Sequence, residues 1–344
     1  MITDQLNIPK QICKRCILPG TFPGIKFNEN GLCNHCQKQI DSSQTSNTST
    51  KKRNFRYRLD ALVHDLKGTA PVYDIIVAYS GGKDSSYILK LLKEQYNLRI
   101  LAMTLDNHFV SPAAIENIKV ITDKLAIDTL IIRPPWAAIK PMFNLTAQKD
   151  IFSKTTLMRA SSICTACIGI VKSIVLKTAL EMSIPLVGYG WSPGQAPIQS
   201  AILKTNPQLI QTNQKVLINS FPLELKEKLN QYFIPDSYFK TFKEKFPHNI
   251  HPLAFFDYDE DHIKKELKKM GWKSPEDTDS NSSNCRINAY ANQCHILRHG
   301  FHPYVWEIAN MVRQNIMTRE QGLIKIYSDQ NKEMVSYAKE KLQQ

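Results

Sequence analysis

The run Tyr79-Ser-Gly-Gly-Lys-Asp-Ser-Ser-Tyr-Ile88 follows the apolar residues 73–78 and precedes a helical pattern. Its glycines let the backbone turn with amide groups pointing inward, its serine hydroxyls can donate hydrogen bonds, and the start of a helix attracts an anion. The Gly-x4-Gly-Lys-Ser/Thr spacing of a Walker A loop is missing. The run therefore predicts a phosphate-binding loop, with an ordinary Gly-rich turn as the alternative. The loop residues are Ser80, Gly81, Gly82, Lys83, Asp84, Ser85 and Ser86.

A second group of chemically capable residues lies near the N-terminus. Two Cys-x-x-Cys pairs occur within about 25 residues, separated by turn-forming prolines and glycines. They are Cys13, Cys16, Cys33 and Cys36. Four thiolates at this spacing can form a tetrahedral zinc site, and the metal would supply much of the folding energy of so small a module. Iron or a redox pair is the alternative.

A third Cys-x-x-Cys pair, Cys164-Thr-Ala-Cys167, lies at the start of a predicted helix over 165–182, and Cys285 and Cys294 follow far downstream. A pair at a helix N-terminus can be a redox couple, half of a metal site or two buried thiols. The pattern alone leaves these three interpretations open.

The Ser-Gly-Gly-Lys-Asp-Ser stretch resembles the signature of the PP-loop ATP pyrophosphatases, which adenylate a carbonyl or carboxyl oxygen and release pyrophosphate. The resemblance implies that ATP and Mg2+ bind at this loop, with Lys83 near the phosphates and Asp84 ordering the loop or assisting the magnesium ion. Asp106, after the next strand, would contact ribose or metal, or would merely cap its strand. Gly190 would lie on the same rim.

The order of features in mid-chain is similar to that of PP-loop tRNA thiolation enzymes, in which three cysteines hold a [4Fe-4S] cluster. The shared features are Cys164-x-x-Cys167, a helix, an apolar strand ending at Gly190, and His251-Pro-Leu-Ala-Phe-Phe before Cys285. The resemblance implies that Cys164, Cys167 and Cys285 are cluster ligands and take part in catalysis, as does Asp84. Two features depart from that family: Cys285 is not part of a Cys-x-x-Cys pair, and Gly188-Tyr-Gly-Trp replaces Gly-His-x-x-Asp-Asp.

Both ends of the chain resemble the N-acetyl sugar amidotransferases, PP-loop enzymes that use ammonia from a partner glutaminase. The opening Cys13-Lys-Arg-Cys16-Ile-Leu-Pro and the later stretches His299-Gly-Phe-His-Pro-Tyr304 and Met317-Thr-Arg-Glu-Gln-Gly-Leu323 carry this likeness. A mid-chain three-cysteine set is expected in a thiolating enzyme and not in the amidotransferase.

The elements around these motifs alternate between strand and helix. We predict strands over 73–79, 99–105, 128–133 and 184–190, and helices over 85–96 and 111–125. Such alternation predicts an α/β fold with a parallel sheet, whose ligands bind beyond the carboxyl ends of the strands. Further helices are predicted over 258–270 and 302–325.

We expect a zinc-ribbon-like module over 1–40, a polar linker over 41–56, a PP-loop ATP-binding domain over 57–255 and a mostly helical C-terminal extension over 256–344. The chain has 344 residues, 42% hydrophobic residues and a formal net charge of +13. No membrane-spanning run or signal peptide is recognised, so a cytoplasmic protein is expected. The positive charge suits ATP, phosphorylated substrates or nucleic acid alike. The stretch 51–58 is the densest basic cluster and is read as a solvated helix start.

These features predict an enzyme that adenylates a substrate oxygen and then transfers sulfur to a tRNA or small-molecule acceptor. A sulfur donor or a glutaminase partner would supply the nucleophile, and a homodimer is a further expectation. Sugar amidine formation is the alternative, and a non-catalytic zinc-ribbon protein that binds nucleic acid is the weakest one.

Overall fold

The sheet runs through the middle of the molecule. A computed structural model describes residues 7–43, 48–195 and 197–344. Among these, the strands are β1 (Ile75–Ala78), β2 (Ile100–Leu105), β3 (Asp128–Ile132), β4 (Leu186–Tyr189), β5 (Ile202–Lys204) and β6 (His248–Ile250). They form one sheet in the order β3-β2-β1-β4-β6-β5, in which only β5 runs antiparallel to its neighbour. The predicted α/β fold with a mostly parallel sheet is confirmed.

Strand order reverses at β1, because β2 and β3 lie on one side of it and β4, β6 and β5 on the other. A crevice forms at such a switch point, outside the carboxyl ends of the two central strands. The predicted phosphate-binding loop follows β1 directly, so the topology positions it at this crevice.

Helices cover both faces of the sheet. In chain order they are α1 (Asn34–Ser43), α2 (Thr48–Leu66), α3 (Lys83–Tyr96), α4 (Pro112–Leu125), α5 (Trp136–Gln148), α6 (Lys154–Leu157), α7 (Ser162–Glu181), α8 (Pro207–Asn219), α9 (Leu223–Leu229), α10 (Asp236–Thr241), α11 (Glu260–Lys269), α12 (Asn288–His299), α13 (Val305–Arg313), α14 (Arg319–Tyr327) and α15 (Lys332–Gln343). Successive strand residues point to opposite faces. Ile76 accordingly packs in a core with α5, α7, α9, α12 and α15, whereas Ile75 and Val77 pack with α2, α3, α4 and α11.

Within the predicted polar linker over 41–56, residues 41–43 belong to α1 and residues 48–56 belong to α2. Residues 44–47 lie outside the described ones. Phe55, Leu59, Leu62 and Val63 recur at helical spacing, and Leu59 and Val63 are buried against the sheet domain. Such a stripe stabilises a helix by packing even where its remaining residues are polar. The Ser- and Thr-rich composition therefore concealed an amphipathic helix.

The predicted helix over 302–325 is two helices, α13 and α14. Asn315 adopts a positive φ of 57° just after α13, a conformation that ends a helix. Thr318 then begins α14 with a capping box that includes Gln321. The helices predicted over 165–182 and 258–270 are found as α7 and α11.

By length and composition alone α7 is long and apolar enough to cross a membrane. More than half of its apolar window is buried inside the protein. It packs against α5, α12, α8 and the strands β1 and β4. This is the environment of a core helix in an α/β layer.

The cysteine-rich N-terminal segment packs against the C-terminal helices. Ile17, Leu18 and Phe22 share one apolar core with residues of α13 and α14 such as Ile308 and Leu323. The Phe22 and Trp306 rings stack with centroids 5.5 Å apart. The N-terminal segment and the helices α13 and α14 therefore depend on a common core.

Candidate functional site

The loop after β1 is built around close backbone approaches. Gly81 has a φ of +74°, and a Cβ at this position would lie 2.2 Å from the carbonyl oxygen of Ala114. A Cβ on Gly190, just past the end of β4, would lie 2.6 Å from the backbone nitrogen of Ser85. Only glycine fits at both positions, so the loop and the start of α3 are held tightly against their neighbours.

The serine hydroxyls of the loop point in two directions. Ser80 Oγ and Ser85 Oγ are 3.1 Å apart, and both residues line the crevice. The backbone N–H of Gly82 donates to Ser80 Oγ over 3.4 Å. Ser86 instead is fully buried and shares a 3.2 Å hydrogen bond with the Tyr79 hydroxyl. Its predicted contact with phosphate is therefore not supported by the direction of its side chain.

Lys83 and Asp84 face a polar cavity of about 210 Å3 on the other side of the loop. The Lys83 ammonium donates to Asp84 over 2.9 Å and to the Tyr258 hydroxyl over 2.7 Å, and it lies 4.0 Å from Glu260. Burial alone would lower the pKa of Lys83, but Asp84, Tyr258 and Glu260 together raise it above its usual value. Lys83 is thus a fixed cation beside the phosphate-binding loop.

Three cysteines meet at the crevice although they are far apart in sequence. Cys164, Cys167 and Cys285 line a cavity of about 300 Å3 together with Ser80, Ser85 and Gly190; we call it the thiol cavity. Ser161 caps α7 by accepting from the Cys164 N–H over 3.2 Å, which fixes the pair at the helix start. Cys285 is held by a backbone bridge to Val110, two residues before α4 begins. The predicted three-cysteine set and the predicted nucleotide loop therefore share one cavity.

Two asparagines donate hydrogen bonds to these sulfurs. Asn107 Nδ2 lies 3.4 Å from Cys167 Sγ and 3.6 Å from Cys285 Sγ. Asn288 Nδ2 lies 3.7 Å from Cys164 Sγ and 2.9 Å from the Tyr304 hydroxyl. Neither asparagine was singled out from the sequence. The available signal for Asn107 was its position at the carboxyl end of β2, on the ligand-binding rim.

Burial raises the pKa of all three thiols, to about 12 for Cys167 and about 11 for Cys285. The thiols are therefore protonated at neutral pH unless a metal ion binds to them. A coordinated metal reverses this balance, because a thiol that binds a metal loses its proton.

The three thiols of the cavity do not converge on one point. Among the described residues, the N-terminal cysteines form the one group of three or more ligands whose donor atoms lie within 4.8 Å of one another. The three thiols of the cavity are thus too dispersed for one zinc ion, whereas thiolates that bind separate irons of a cluster stand farther apart. Hydrogen bonds to the sulfurs are among the factors that set the potential of an iron–sulfur cluster, so the two asparagine donors are compatible with such a site.

Lys172 is another residue that sequence reasoning missed. It lines the thiol cavity one and a half turns after Cys167, and its ammonium lies 4.5 Å from the centre of the Trp191 ring. Burial lowers its pKa to about 8. It offers the cavity a cation for an anionic ligand.

Two other residues lie apart from this constellation. Asp106 accepts from the His108 N–H over 2.9 Å and pairs with Arg133 at 3.3 Å, which favours the strand-capping interpretation. Cys294 lies on α12 near Tyr290 and Arg298 and does not line the thiol cavity.

The N-terminal cysteines form a separate, closed site. Cys13 Sγ and Cys36 Sγ are 3.7 Å apart, as are Cys16 Sγ and Cys33 Sγ, and all four are buried. A tetrahedral zinc site with Zn–S bonds of about 2.3 Å has sulfur–sulfur edges of roughly 3.8 Å. The residues therefore fit zinc with no position left open for a substrate.

No protein-family model matches the chain. An uncharacterized protein of Methanocaldococcus jannaschii is 23% identical over 266 residues, which cover 77% of this chain and 76% of that protein.

Three solved structures are similar to parts of the chain. The U34-tRNA thiolase NcsA of Methanococcus maripaludis, solved with its [4Fe-4S] cluster, is 16% identical, with a TM-score of 0.36 and coverage of 97% of this chain and 88% of that one. The NMN synthetase of Francisella tularensis is 12% identical, with a TM-score of 0.36 and coverage of 80% and 96%. The NH3-dependent NAD synthetase of Campylobacter jejuni is 14% identical, with a TM-score of 0.32 and coverage of 59% and 98%. At these TM-scores the overall likeness is loose, so the residues of the site carry the functional assignment.

Proposed function

We propose that the protein is an ATP-dependent enzyme that adenylates an oxygen atom of its acceptor, releases pyrophosphate and replaces that oxygen by sulfur. The observation that supports this most directly is the shared cavity. The phosphate-binding loop and three thiols from distant parts of the chain line one space of about 300 Å3. This arrangement brings an activated acceptor and a sulfur-handling site within reach of each other.

The loop would bind the phosphates of ATP. Ser80 and Ser85 offer hydroxyl donors, and the N-terminus of α3 adds N–H groups at the positive end of the helix dipole. Lys83 contributes a fixed positive charge on the adjoining side. Asp84 would hold Mg2+, which offsets charge on the leaving pyrophosphate. Adenylation transfers the AMP group to the acceptor oxygen and breaks the bond between the α- and β-phosphates.

The second half of the reaction forms a carbon–sulfur bond. A sulfide-level nucleophile attacks the activated carbon, and AMP leaves with the former acceptor oxygen. When bound, a [4Fe-4S] cluster with three protein thiolates supplies an iron with an open coordination position, at which sulfur can be held. Cys164, Cys167 and Cys285 would be its ligands, and Asn107 and Asn288 would orient the ligand sulfurs.

The acceptor we propose is a tRNA base or a small metabolite with a carbonyl oxygen. The net charge of +13 suits a polyanionic acceptor, and Lys172 offers an ammonium group within the cavity. The N-terminal cysteines would hold a structural zinc ion. A cytoplasmic location suits a chain whose described cysteines are free thiols.

The sugar amidotransferase function remains the second proposal, because both termini resemble that family. It requires ammonia from a glutaminase partner and no iron at the three cysteines. A nucleic-acid-binding protein without catalysis would bind RNA in a salt-sensitive manner and form no AMP.

Anaerobic purification followed by iron, sulfide and zinc analysis tests the sulfur-transfer proposal. We expect about four irons and one zinc per chain. Cys164→Ala should lose the iron and keep the zinc, because the two metal sites lie in different parts of the fold. Cys294→Ala is the matched control, since this cysteine lies outside the cavity, and it should keep both metals.

Zinc without iron after anaerobic reconstitution would contradict sulfur transfer and favour the amidotransferase. An assay for AMP formation with and without added ammonia then tests that alternative. If no AMP forms under either condition, the non-catalytic nucleic-acid-binding function is favoured. The salt dependence of RNA binding then tests that function.

A further inference from the structure

The segment between α11 and α12 crosses directly over the phosphate-binding loop. We call residues 272–286 the strap. At its start, Trp272 Nε1 donates to the Gly81 carbonyl over 2.9 Å, and Lys273 exchanges two 2.8 Å hydrogen bonds with Asn117. At its end, the Arg286 N–H donates to the Phe109 carbonyl over 2.8 Å. The strap is therefore anchored on both sides of the loop that it covers.

In its middle, the strap occupies a hydrogen-bond position that a phosphate would need. The backbone N–H of Lys83 donates to Ser283 Oγ over 3.2 Å. Lys83 is the first residue of α3, and the preceding Gly82 provides no side-chain cap. This N–H is one of the free donors at a helix start that bind anions. A hydroxyl from a distant part of the chain thus satisfies it.

The contact between Ser283 and the loop is close. A Cβ at residue 82 would lie only 2.8 Å from Ser283 Oγ. Glycine at this position therefore leaves room for the Ser283 hydroxyl. The Ser283 hydroxyl and a phosphate oxygen cannot both occupy the space in front of the Lys83 N–H.

The strap also carries one of the three cavity thiols. Cys285 follows Ser283 by two residues and lines the thiol cavity. Ser282 lines both the thiol cavity and the polar cavity, so the strap forms the wall between them. Between these two residues the Asn284 carbonyl accepts from the Ser111 N–H over 2.8 Å, and Cys285 itself pairs with Val110. A displacement of Ser283 would therefore strain the backbone contacts that position Cys285.

We propose that Ser283 is a positioning residue that competes with the nucleotide phosphate for the Lys83 N–H, so that ATP binding displaces the strap and shifts Cys285. This inference rests on the proposed ATP site at the loop. Because coupling between two sites is reciprocal, the state of Cys285 must in turn change the affinity for nucleotide. Movement is expected between residues 279 and 285, inside the two anchors.

Calorimetric titration with a non-hydrolysable ATP analogue and Mg2+ tests the competition. Ser283→Ala removes the competing hydroxyl and should tighten binding about 3- to 10-fold, the range that one net hydrogen bond supports. Ser283→Thr keeps the hydroxyl and should restore the original affinity. Ser336→Ala, an exposed serine of α15 that lines neither the thiol cavity nor the polar cavity, is the control and should leave affinity unchanged. Unchanged or weaker binding of the analogue by Ser283→Ala would overturn the proposal. If Ser283 only supported the loop, its removal could weaken nucleotide binding but could not tighten it.

Hydrogen–deuterium exchange on the intact, metal-loaded protein tests the movement. With the analogue, uptake should fall in residues 79–86 and rise in residues 279–286, where the Ser282 N–H now donates to the Asp279 carbonyl and the Cys285 N–H donates to Ser282 Oγ. A fall in 79–86 without a rise in the strap would overturn this inference and leave the ATP site intact. No change in either segment, with no heat of binding, would contradict the proposed function itself.

Discussion

Asn107 shows how a single side chain can serve both local structure and the thiol cavity. Its Oδ1 accepts from the Phe109 N–H over 2.9 Å and so shapes the turn after β2. Its Nδ2 donates to the sulfurs of Cys167 and Cys285. The two roles are separable, because each belongs to a different atom of the amide.

Asn107→Asp should separate these roles in an experiment. Aspartate keeps the oxygen that accepts from Phe109, but it replaces the sulfur-directed donor with a negatively charged acceptor. Because Asn107 is buried, the new carboxylate should lower thermal stability somewhat even though the turn after β2 is kept. At the proposed cluster we expect a 10- to 100-fold loss in iron retention against a chelator, the usual cost of losing a partner of a metal ligand. Asn107→Ala should lose both stability and iron. Full iron retention in Asn107→Asp would show that the amide does not act on the sulfurs.

At the scale of single elements, α13 joins the N-terminal cysteine site to the rest of the molecule. Arg313, in its last turn, is buried and donates to Cys16 Sγ over 3.3 Å. Four thiolates around a zinc ion leave a net charge of −2, and a buried charge is costly unless it is paired. With the proposed zinc ion bound, the guanidinium would therefore compensate charge that the metal alone does not neutralise.

Arg313→Met should keep the apolar part of this packing and remove the charge. We expect zinc release to a colorimetric chelator to become at least several-fold faster, because the thiolates lose a charged hydrogen bond. Arg15→Met is the control: its guanidinium lies 3.5 Å from the Cys36 carbonyl oxygen and contacts no sulfur. Equal release rates for the two variants would argue against charge compensation by Arg313.

The sequence predicted elements and motifs well where the signal is local. The strand-loop-helix around Ser80 and the Cys-x-x-Cys pair at the start of α7 are patterns of neighbouring residues. The contacts of Ser283 with Lys83 and of Asn107 with Cys285 join positions far apart in the chain, and no periodicity encodes them. The helix over residues 48–56 was missed for another reason. These residues are mostly polar, and the helix is stabilised by an apolar stripe that packs against the rest of the protein.

For the whole molecule, the core that the N-terminal segment shares with α13 and α14 predicts how the protein would respond to loss of the proposed zinc ion. The N-terminal segment and the helices α13 and α14 bury Ile17, Phe22, Ile308 and Leu323 together. Arg319 and Tyr327 bond to backbone carbonyls of the cysteine segment. Zinc binding supplies folding free energy, about 10–16 kcal/mol in small zinc modules. Its loss should therefore destabilise the N-terminal segment and the helices α13 and α14 together.

Limited proteolysis after zinc chelation under mild conditions measures this coupling. We expect new cleavages in 7–36 and also in 301–327, while α15 stays protected because it packs against α5 and α12. Trp306 provides a second readout, since its stacking on Phe22 should be lost and its fluorescence should change. Trp306→Phe identifies which part of the signal comes from this ring. Cleavage confined to 7–36 would mean that α13 and α14 remain folded without the N-terminal cysteine segment. The joint response instead identifies zinc as a support for α13, whose preceding residue Tyr304 lines the thiol cavity.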